Sequence, residues 1–358
     1  MKTLIVILMV LILALPGCRY IPSETESVDI IQEEINPKKE FAQLDEFLRK
    51  FDETSQIFNN PTNKPIKIKG KQGTTIYINP ADLETENGQP VGKAIQIELK
   101  ELSNRQQLLN SNAQTVSEGQ LLVSGGAFYV NVTSEGQKVN LKEGKTYSVS
   151  LPRLSDDEMS LFYGQRDSLN RMNWKQADQK FVLQKIATEP SRSYQTIIVT
   201  GKDSASVTTQ ANVSEEEYQK QLRESRMSDK VYSPVALNQF GWINCDRFYK
   251  QDDPKTAVQF SVANNAVDLK YALVSLILED INSIMQSAYY LNDANIEGNA
   301  FENVPVGLKA RFLAVSYQQE KIYATLTNEL RVRENHDEQL MLKEMSEEEF
   351  EMLMKSID

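Results

Sequence analysis

The segment GWINCDRF, residues 241–248, brings together residue types that could support chemistry. Cys245 supplies a thiol, and Asp246 and Arg247 follow it directly. A cysteine acts as a nucleophile only as a thiolate, which requires a nearby base or cation. Arg247 could supply the cation, but no histidine lies nearby in the sequence. We therefore interpret the segment as structural, with a core motif formed by Phe240, Trp242, Cys245 and Phe248.

The rest of the sequence offers few groups for catalysis. His336 is the only histidine, and the pattern around it predicts the start of a C-terminal helix. A zinc site of histidine and cysteine ligands is therefore excluded, and we predict no metal site and no cofactor. The sequence contains no phosphate-binding glycine loop, dinucleotide fingerprint, nucleophile elbow or HExxH motif.

Acidic clusters could still support one reaction, since glycoside hydrolysis needs only two carboxylates held in a cleft. The densest clusters are Asp156-Asp157-Glu158 and Asp252-Asp253. They adjoin a capping serine and a proline, as solvated helix starts and turns do. An envelope hydrolase acting on glycan or peptidoglycan is therefore the alternative to a non-enzymatic protein.

The N-terminal sequence is typical of an exported lipoprotein. One lysine precedes an unbroken apolar run over residues 4–16, which is too short to span a bilayer comfortably. Leu15, Pro16 and Gly17 precede Cys18 and resemble the cleavage site of a bacterial lipobox. We predict that cleavage leaves Cys18 as the new N-terminus, carrying a diacylglyceryl thioether and an N-acyl chain such as palmitate.

The composition is that of a soluble globular chain, with 40% apolar and 25% charged residues. The net charge of −11 argues against nucleic-acid binding, which needs clustered lysine and arginine. A length of 358 residues predicts more than one hydrophobic core.

Alternating apolar residues dominate the sequence that follows the tether. In residues 94–102, AIQIELKEL, the pattern places Ile95, Ile97 and Leu99 on one face of a strand and Gln96, Glu98 and Lys100 on the other. Short strands of this kind, separated by glycine turns, favour a β-sandwich.

Other local patterns predict helices and one loop. Apolar residues recurring at three and four predict a short helix within 41–58. Ser155-x-x-Glu158 and Ser214-x-x-Glu217 fit helix capping boxes, and residues 201–214 predict an exposed loop. Ser346-x-x-Glu349 predicts a terminal helix, whose methionine and leucine stripe either packs on the body or binds a partner.

The predicted fold class is mainly β, built from β-sandwich modules with short helices, a mixed α+β middle segment and a C-terminal helix. The domain organisation follows from the same patterns. It comprises a signal peptide at 1–17, a lipidated tether and short helix at 18–58, a β-sandwich at 59–152, a mixed α/β middle segment at 153–254, a second small β-sandwich at 255–335 and a C-terminal helical tail at 336–358.

Several segments resemble a group of multi-domain envelope lipoproteins of the Bacteroidota. They are GTTIYINPADLETENGQPVGKAIQIELKEL, LLNSNAQTVSEGQLLVSGGAFYV, LFYGQRDSLNRMNWK, FGWINCDRF and ENVPVGLKA. The first segment also resembles, more distantly, β-sandwiches of the ZU5 type. The resemblance implies export and an outer-membrane location, but no activity.

Two further expectations rest on patterns of that phylum. Asp167-Ser168-Leu169 and Asp203-Ser204-Ala205 fit its short O-glycosylation pattern, which makes Ser168 and Ser204 candidate glycosylation sites. Surface-exported lipoproteins of the phylum carry acidic residues just after the cysteine, whereas residues 19–22 here are Arg-Tyr-Ile-Pro. The periplasmic face of the outer membrane is therefore favoured over the cell surface.

These observations predict a non-enzymatic, lipid-anchored protein of the outer membrane that acts as a binding or scaffolding subunit. Sandwiches present loops and edges on a rigid frame, which suits recognition of an envelope protein or a glycan.

Overall fold

The computed structural model describes residues 37–152, 154–155, 157–167, 170–181, 194–200, 205–211, 214, 216, 232, 235–250, 252–264, 267, 269–290 and 299–357. Side chains are described for all of these except 37–41, 194–200, 205–211 and 289–290. The predicted lipobox, Ser168 and Ser204 lie outside the described residues. Within the described residues, no helix is long and apolar enough to cross a membrane.

The fold is mainly β with short helices and a helix near the C-terminus, which confirms the predicted fold class. The helices are α1 (Pro37–Arg49), α2 (Arg105–Asn110) and α3 (Glu347–Lys355), with a 3-10 turn at Pro80–Asp82. The first strands are β1 (Gln56–Pro61), β2 (Ile66–Lys69), β3 (Thr75–Ile78), β4 (Leu83–Thr85), β5 (Ala94–Leu102), β6 (Val116–Ser117), β7 (Gln120–Ser134), β8 (Gln137–Leu141), β9 (Tyr147–Ser150), β10 (Met159–Arg166), β11 (Met172–Phe181), β12 (Tyr194–Thr200), β13 (Ala205–Ala211), β14 (Val235–Leu237) and β15 (Gly241–Phe248). The later strands are β16 (Lys255–Ala263), β17 (Tyr271–Leu278), β18 (Ser283–Tyr290), β19 (Ala300–Pro305), β20 (Lys309–Gln318), β21 (Lys321–Leu326), β22 (Leu330–Arg331), β23 (His336–Met341) and β24 (Lys343–Met345).

The first sandwich-like unit contains a nine-stranded sheet, termed here the large sheet, and a four-stranded sheet. The main path of the large sheet is β1-β5-β7-β15-β10-β11, with antiparallel neighbours, and the smaller sheet runs β14-β9-β3-β2. Inward apolar residues of both sheets form one core, to which β5 contributes Ile95, Ile97 and Leu99 as its alternation predicts. Strands β10, β11 and β15, from the predicted middle segment, lie in this sheet.

The second sandwich-like unit contains a three-stranded sheet, β19-β16-β23, and a six-stranded sheet with the path β18-β17-β20-β21-β24. Val258, Leu276, Phe312 and Leu340 contribute to the core of this unit. His336 begins β23, pairs in parallel register with Val258 and is 3% exposed, so the predicted helix start at this histidine is wrong. Pairing with β16 determines the conformation here rather than local helix signals.

Hydrogen bonds join the two units directly. The backbone N–H of Thr115 donates to the carbonyl of Ile284 at 2.8 Å, and the N–H of Ser124 donates to the carbonyl of Asn282 at 2.8 Å. The amide of Asn282 donates back to the Ser124 carbonyl at 3.1 Å. These bonds attach the N-terminal part of β7 and the segment before it to the start of β18.

The two longer helices pack against each other through aromatic rings. Phe350 of α3 lies 5.3 Å from Phe47 and 5.1 Å from Phe51, measured between ring centroids. The predicted capping box is present, because the Ser346 hydroxyl accepts from the Glu349 N–H and the Glu349 carboxylate accepts from the Ser346 N–H. Of the two interpretations of the terminal stripe, packing on the body is confirmed for Met354, which is buried, whereas Met352 is 64% exposed.

Two local predictions differ from the structure. Ser155 caps no helix, because its hydroxyl accepts from the Asp157 N–H at 3.1 Å and strand β10 begins at Met159. The side chains of β10 that pack into the sheet favour a strand over the local capping signal. Half of the predicted loop at 201–214, residues 205–211, is strand β13, which pairs with β12 as a hairpin. The predicted capping box beginning at Ser214 includes residues outside the described ranges.

Candidate functional site

The GWINCDRF segment is strand β15, which lies between β7 and β10 in the large sheet. Ile243 and Cys245 point into the core of the first sandwich, and Phe240 packs against this core from its edge. Cys245 is fully buried, and burial raises the pKa of its thiol well above the ordinary value, with the neighbouring Asp246 adding to the shift. A thiol in this environment stays protonated, which disfavours a nucleophilic role.

Trp242 is not part of that core, in contrast to the prediction. It is half-buried on the opposite face of the large sheet, termed here the outer face. Successive side chains of a strand point to opposite faces, so residues 242 and 245, three positions apart, cannot share one. Phe248 is also half-buried and contacts Phe162, with 5.5 Å between ring centroids.

Trp242 lines a cleft of about 390 Å³, termed here the outer-face cleft. Four strands of the large sheet and the segment after α1 supply its main side chains. These are Asp52, Glu98, Lys100, Tyr129, Arg166 and Trp242.

The strand register explains why the aromatic residues meet. Lys100 of β5 pairs with Tyr129 of β7, which pairs with Trp242 of β15. The rings of Tyr129 and Trp242 lie 5.1 Å apart and are tilted by 46°. Gly164 leaves room beside them, since a Cβ at this position would lie 2.7 Å from the Trp242 Cβ and 2.7 Å from the Trp174 ring. Because Gly164 has no Cβ, the side chains of Trp174 and Trp242 can pack close to the backbone at this position.

Opposite charges are paired within the cleft. Asp52 contacts Lys100 at 2.5 Å and accepts a hydrogen bond from the Ser111 hydroxyl at 2.8 Å. Asp45 contacts Arg49 at 2.5 Å and accepts from the Asn170 amide at 2.7 Å. The contacts of Asp52 with Lys100 and Ser111 and of Asp45 with Asn170 hold α1 and the following segment against the outer face.

Arg166 is fixed by backbone carbonyls rather than by carboxylates. Its guanidinium donates to the carbonyls of Ser111 at 2.8 Å, Asn112 at 3.0 Å and Asn170 at 2.7 Å. It also lies 5.1 Å from the centroid of the Trp242 ring, which is a cation–π contact. Burial lowers the pKa of Arg166, and the carboxylate of Asp45 opposes this effect. Burial raises the pKa of Tyr129, with a further contribution from Glu98.

The acidic clusters predicted from sequence lie elsewhere. Asp157 is exposed and contacts Arg247 at 2.7 Å, while Asp253 accepts from the Tyr249 hydroxyl at 2.6 Å. Asp156 is outside the described residues, and none of the described members of these clusters lines the outer-face cleft. In the part of the chain that the structure describes, no group of three or more His, Cys, Asp or Glu residues could hold a metal ion.

Asp246 is an unusual group of β15, because its carboxylate is fully buried. Its carboxylate accepts from the Asn244 amide at 2.6 Å and from the Gly125 N–H at 3.3 Å, and it bonds the Ser124 side chain. Burial raises its pKa from 3.8 to about 7, although these three hydrogen bonds oppose the shift. Asp246 therefore changes its protonation near neutral pH.

A larger cavity of about 890 Å³ lies where the two sandwich-like units meet. Several of its polar side chains already bond protein groups. The Gln114 carbonyl oxygen accepts from the Gln286 N–H at 3.0 Å, and the Gln114 amide donates to the Met172 carbonyl at 3.0 Å. Arg171 contacts Asp167 at 2.8 Å. We interpret this cavity as part of the junction between the units.

Comparison of the sequence with models of protein families finds no match, and a search of curated proteins finds no similar sequence. The geometry of the cleft is therefore the basis for a functional interpretation. The alternation of residues 94–102 placed Glu98 and Lys100 on the polar face of β5 but indicated no role for them. Tyr129 was not predicted, and its only signal was its outward position among the alternating residues of AFYVNVT. Asp52 and Arg166 carried no sequence signal.

Proposed function

We propose that this protein is a lipid-anchored binding protein of the bacterial outer membrane, which takes its ligand in the outer-face cleft without catalysing a reaction. The observation that carries the proposal is the pair of half-buried rings, Tyr129 and Trp242, set among paired charges on a sheet. Binding sites combine apolar or aromatic surface with a few well-placed polar groups. The lipobox-like residues before Cys18 support the anchor.

Rigidity of the site supports binding by a preformed cleft. Strand pairing fixes Lys100, Tyr129 and Trp242 in one row, and three backbone carbonyls hold Arg166. A preformed site loses little conformational entropy when the ligand binds, which increases affinity.

The test compares material captured by the lipidated protein from solubilised envelopes. Tyr129→Ala removes a half-buried ring from the cleft and should greatly reduce the captured protein or carbohydrate. Tyr77→Ala is the matched control, because Tyr77 is 39% exposed on β3, in the other sheet of this unit. Equal capture by wild type and Tyr129→Ala would show that the ligand binds elsewhere.

The anchor has a separate test. Cys18→Ala should abolish lipidation and release the protein from the membrane fraction. A high-salt wash removes electrostatic attachment, so a variant that still pellets with membranes after this wash would require a different anchor.

A hydrolase that acts on glycan or peptidoglycan is the second candidate, because the cleft contains the carboxylates of Asp45, Asp52 and Glu98. Glycosidases need one carboxyl group that reaches the leaving oxygen and a second that acts as nucleophile or base. Asp45 and Asp52 are already engaged by cations, which favours binding over hydrolysis. Release of reducing ends from envelope glycan by wild type, and its loss in Glu98→Gln, would instead establish the hydrolase.

A further inference from the structure

The cations of the outer-face cleft have partners within the protein. Lys100 contacts Asp52, and Arg49 contacts Asp45. Arg166 donates to three backbone carbonyls. An anionic ligand would compete with these contacts, which reduces the energy that a new ion pair provides.

Two acceptors in the cleft have hydrogen-bonding capacity that the protein does not use. Among the contacts of described residues, the carboxylate of Glu98 receives one long hydrogen bond, from the Asn131 amide at 3.4 Å. An ionised carboxylate accepts about four hydrogen bonds, so most of this capacity is unused.

Asn110 supplies a second acceptor in the cleft wall. Its side-chain nitrogen donates to the Phe51 carbonyl at 2.8 Å, which fixes the orientation of the amide. The residue is only 5% exposed, and its buried Oδ1 finds no hydrogen-bond partner among the described residues. A buried polar atom without a partner is costly, and a donor from a ligand would remove that cost.

The charge around the acceptors limits the kind of donor. Three cations, Arg49, Lys100 and Arg166, and three carboxylates, Asp45, Asp52 and Glu98, line the cleft, so their formal charges balance and the cleft does not select a charged ligand. A neutral hydroxyl group donates to a carboxylate or an amide oxygen and brings no charge that would disturb this balance. The half-buried rings of Tyr129 and Trp242 lie beside the acceptors and offer apolar surface to C–H groups.

We propose that the outer-face cleft binds a neutral sugar unit of a glycan, whose hydroxyl groups donate to Glu98 and Asn110 while its C–H face packs on Tyr129 and Trp242. This inference rests on the proposed function, since it names the ligand class of the same site. A sugar ring presents hydroxyl donors at its edge and C–H groups on its face, which matches this arrangement of acceptors and rings.

The test uses the full protein and an array of neutral, uronic-acid and sulfated oligosaccharides, followed by fluorescence titration with the best neutral oligosaccharide. The protein has two tryptophans, and Trp174 is fully buried, so a ligand in the cleft should change the emission of Trp242. We expect saturable binding of at least one neutral oligosaccharide. Trp242→Phe should lose the fluorescence change.

Two cleft variants and one control locate the binding. Glu98→Gln keeps the side-chain shape and should weaken binding about tenfold, because hydrogen bonds to a charged acceptor are stronger than those to a neutral one. Tyr129→Ala should weaken it by a similar factor, whereas Tyr77→Ala should leave it unchanged. Circular dichroism checks that each variant is folded.

The outcomes separate this inference from the proposed function. Saturation by sulfated or uronic-acid oligosaccharides alone, or by a tryptic peptide mixture used as the protein-ligand probe, would overturn the sugar assignment. If that binding were lost in Tyr129→Ala, the cleft would still be the binding site. Neutral sugar binding that is insensitive to both Glu98→Gln and Tyr129→Ala would overturn the assignment of the cleft. No binding of any neutral oligosaccharide would overturn the inference itself.

Discussion

The two faces of the large sheet differ although the same strands build both. The inner face presents Ile97, Phe128 and Cys245 to a closed apolar core. The outer face presents Glu98, Tyr129 and Trp242, which immediately follow or precede inward residues in the sequence, to a charged cleft. Because side chains alternate along a strand, a residue that stabilises the core and a residue that lines the cleft are direct neighbours in the sequence.

The largest expected effect distinguishes the neighbours Phe128 and Tyr129. Phe128 is 1% exposed in the core, so Phe128→Ala should reduce the free energy of unfolding by about 3–5 kcal/mol. Tyr129 is half-buried and its contact with Trp242 is worth about 1 kcal/mol, so Tyr129→Ala should cost far less stability. Denaturant unfolding measures both values. Equal costs would contradict the division between the two faces.

The next effect concerns Asp246, whose pKa is raised by burial from 3.8 to about 7. Between these values the unfolded chain loses its proton while the folded chain retains it, so folded stability should fall as pH rises from about 4 to about 7. A shift of about three units corresponds to about 4 kcal/mol.

Asp246→Asn should remove this dependence, because the amide does not ionise. The difference in unfolding free energy between the variant and wild type should therefore grow in favour of the variant from pH 4 to pH 8. A difference that stays constant over this range would mean that Asp246 keeps its ordinary pKa in the folded protein.

Gly164→Ala should have a smaller effect, of about 2 kcal/mol, because the added methyl group would overlap the side chains of Trp174 and Trp242. Displacement of Trp242 should also alter ligand binding in the cleft. Thermal unfolding and the near-ultraviolet circular dichroism of the tryptophans measure the two effects. An unchanged tryptophan spectrum would show that the rings do not depend on this glycine.

The smallest effect is expected for Cys245→Ser, which leaves no large cavity and costs about 1 kcal/mol for a buried hydroxyl. Ligand binding should not change, because Cys245 points to the inner face. In the Cys18→Ala chain, where Cys245 is the only thiol, maleimide should label it slowly until denaturant is added. Rapid labelling of the native chain would place the thiol at an accessible site.

The sequence by itself determined the class of fold and some of its local features. Alternation in residues 94–102 identified both faces of β5, and Ser346 and Glu349 formed the predicted capping box. These features depend on residues close together in the chain, where side-chain direction and capping are local effects.

Where a local sequence pattern predicted a helix but distant strands were available for pairing, the tertiary structure decided the conformation. The pattern at Ser155 predicts a helix, but the following residues pair with β11 and β15. His336 enters a parallel pair with β16, whose residues lie far away in the sequence. Strand conformation depends on such distant partners, so local patterns determine it less well than they determine a helix cap.

The outer-face cleft depends most clearly on strand pairing between distant residues. The alternation of β15 was sufficient to separate Trp242 from Cys245, yet nothing in the sequence indicated that Tyr129 would lie beside Trp242. Their meeting depends on the register between β7 and β15, and the charges come from α1, β5 and β10. The residue types determine which chemistry is available. Long-range strand pairing decides which of these residues share a cleft, because the register of each strand depends on burying the apolar face of the whole sheet.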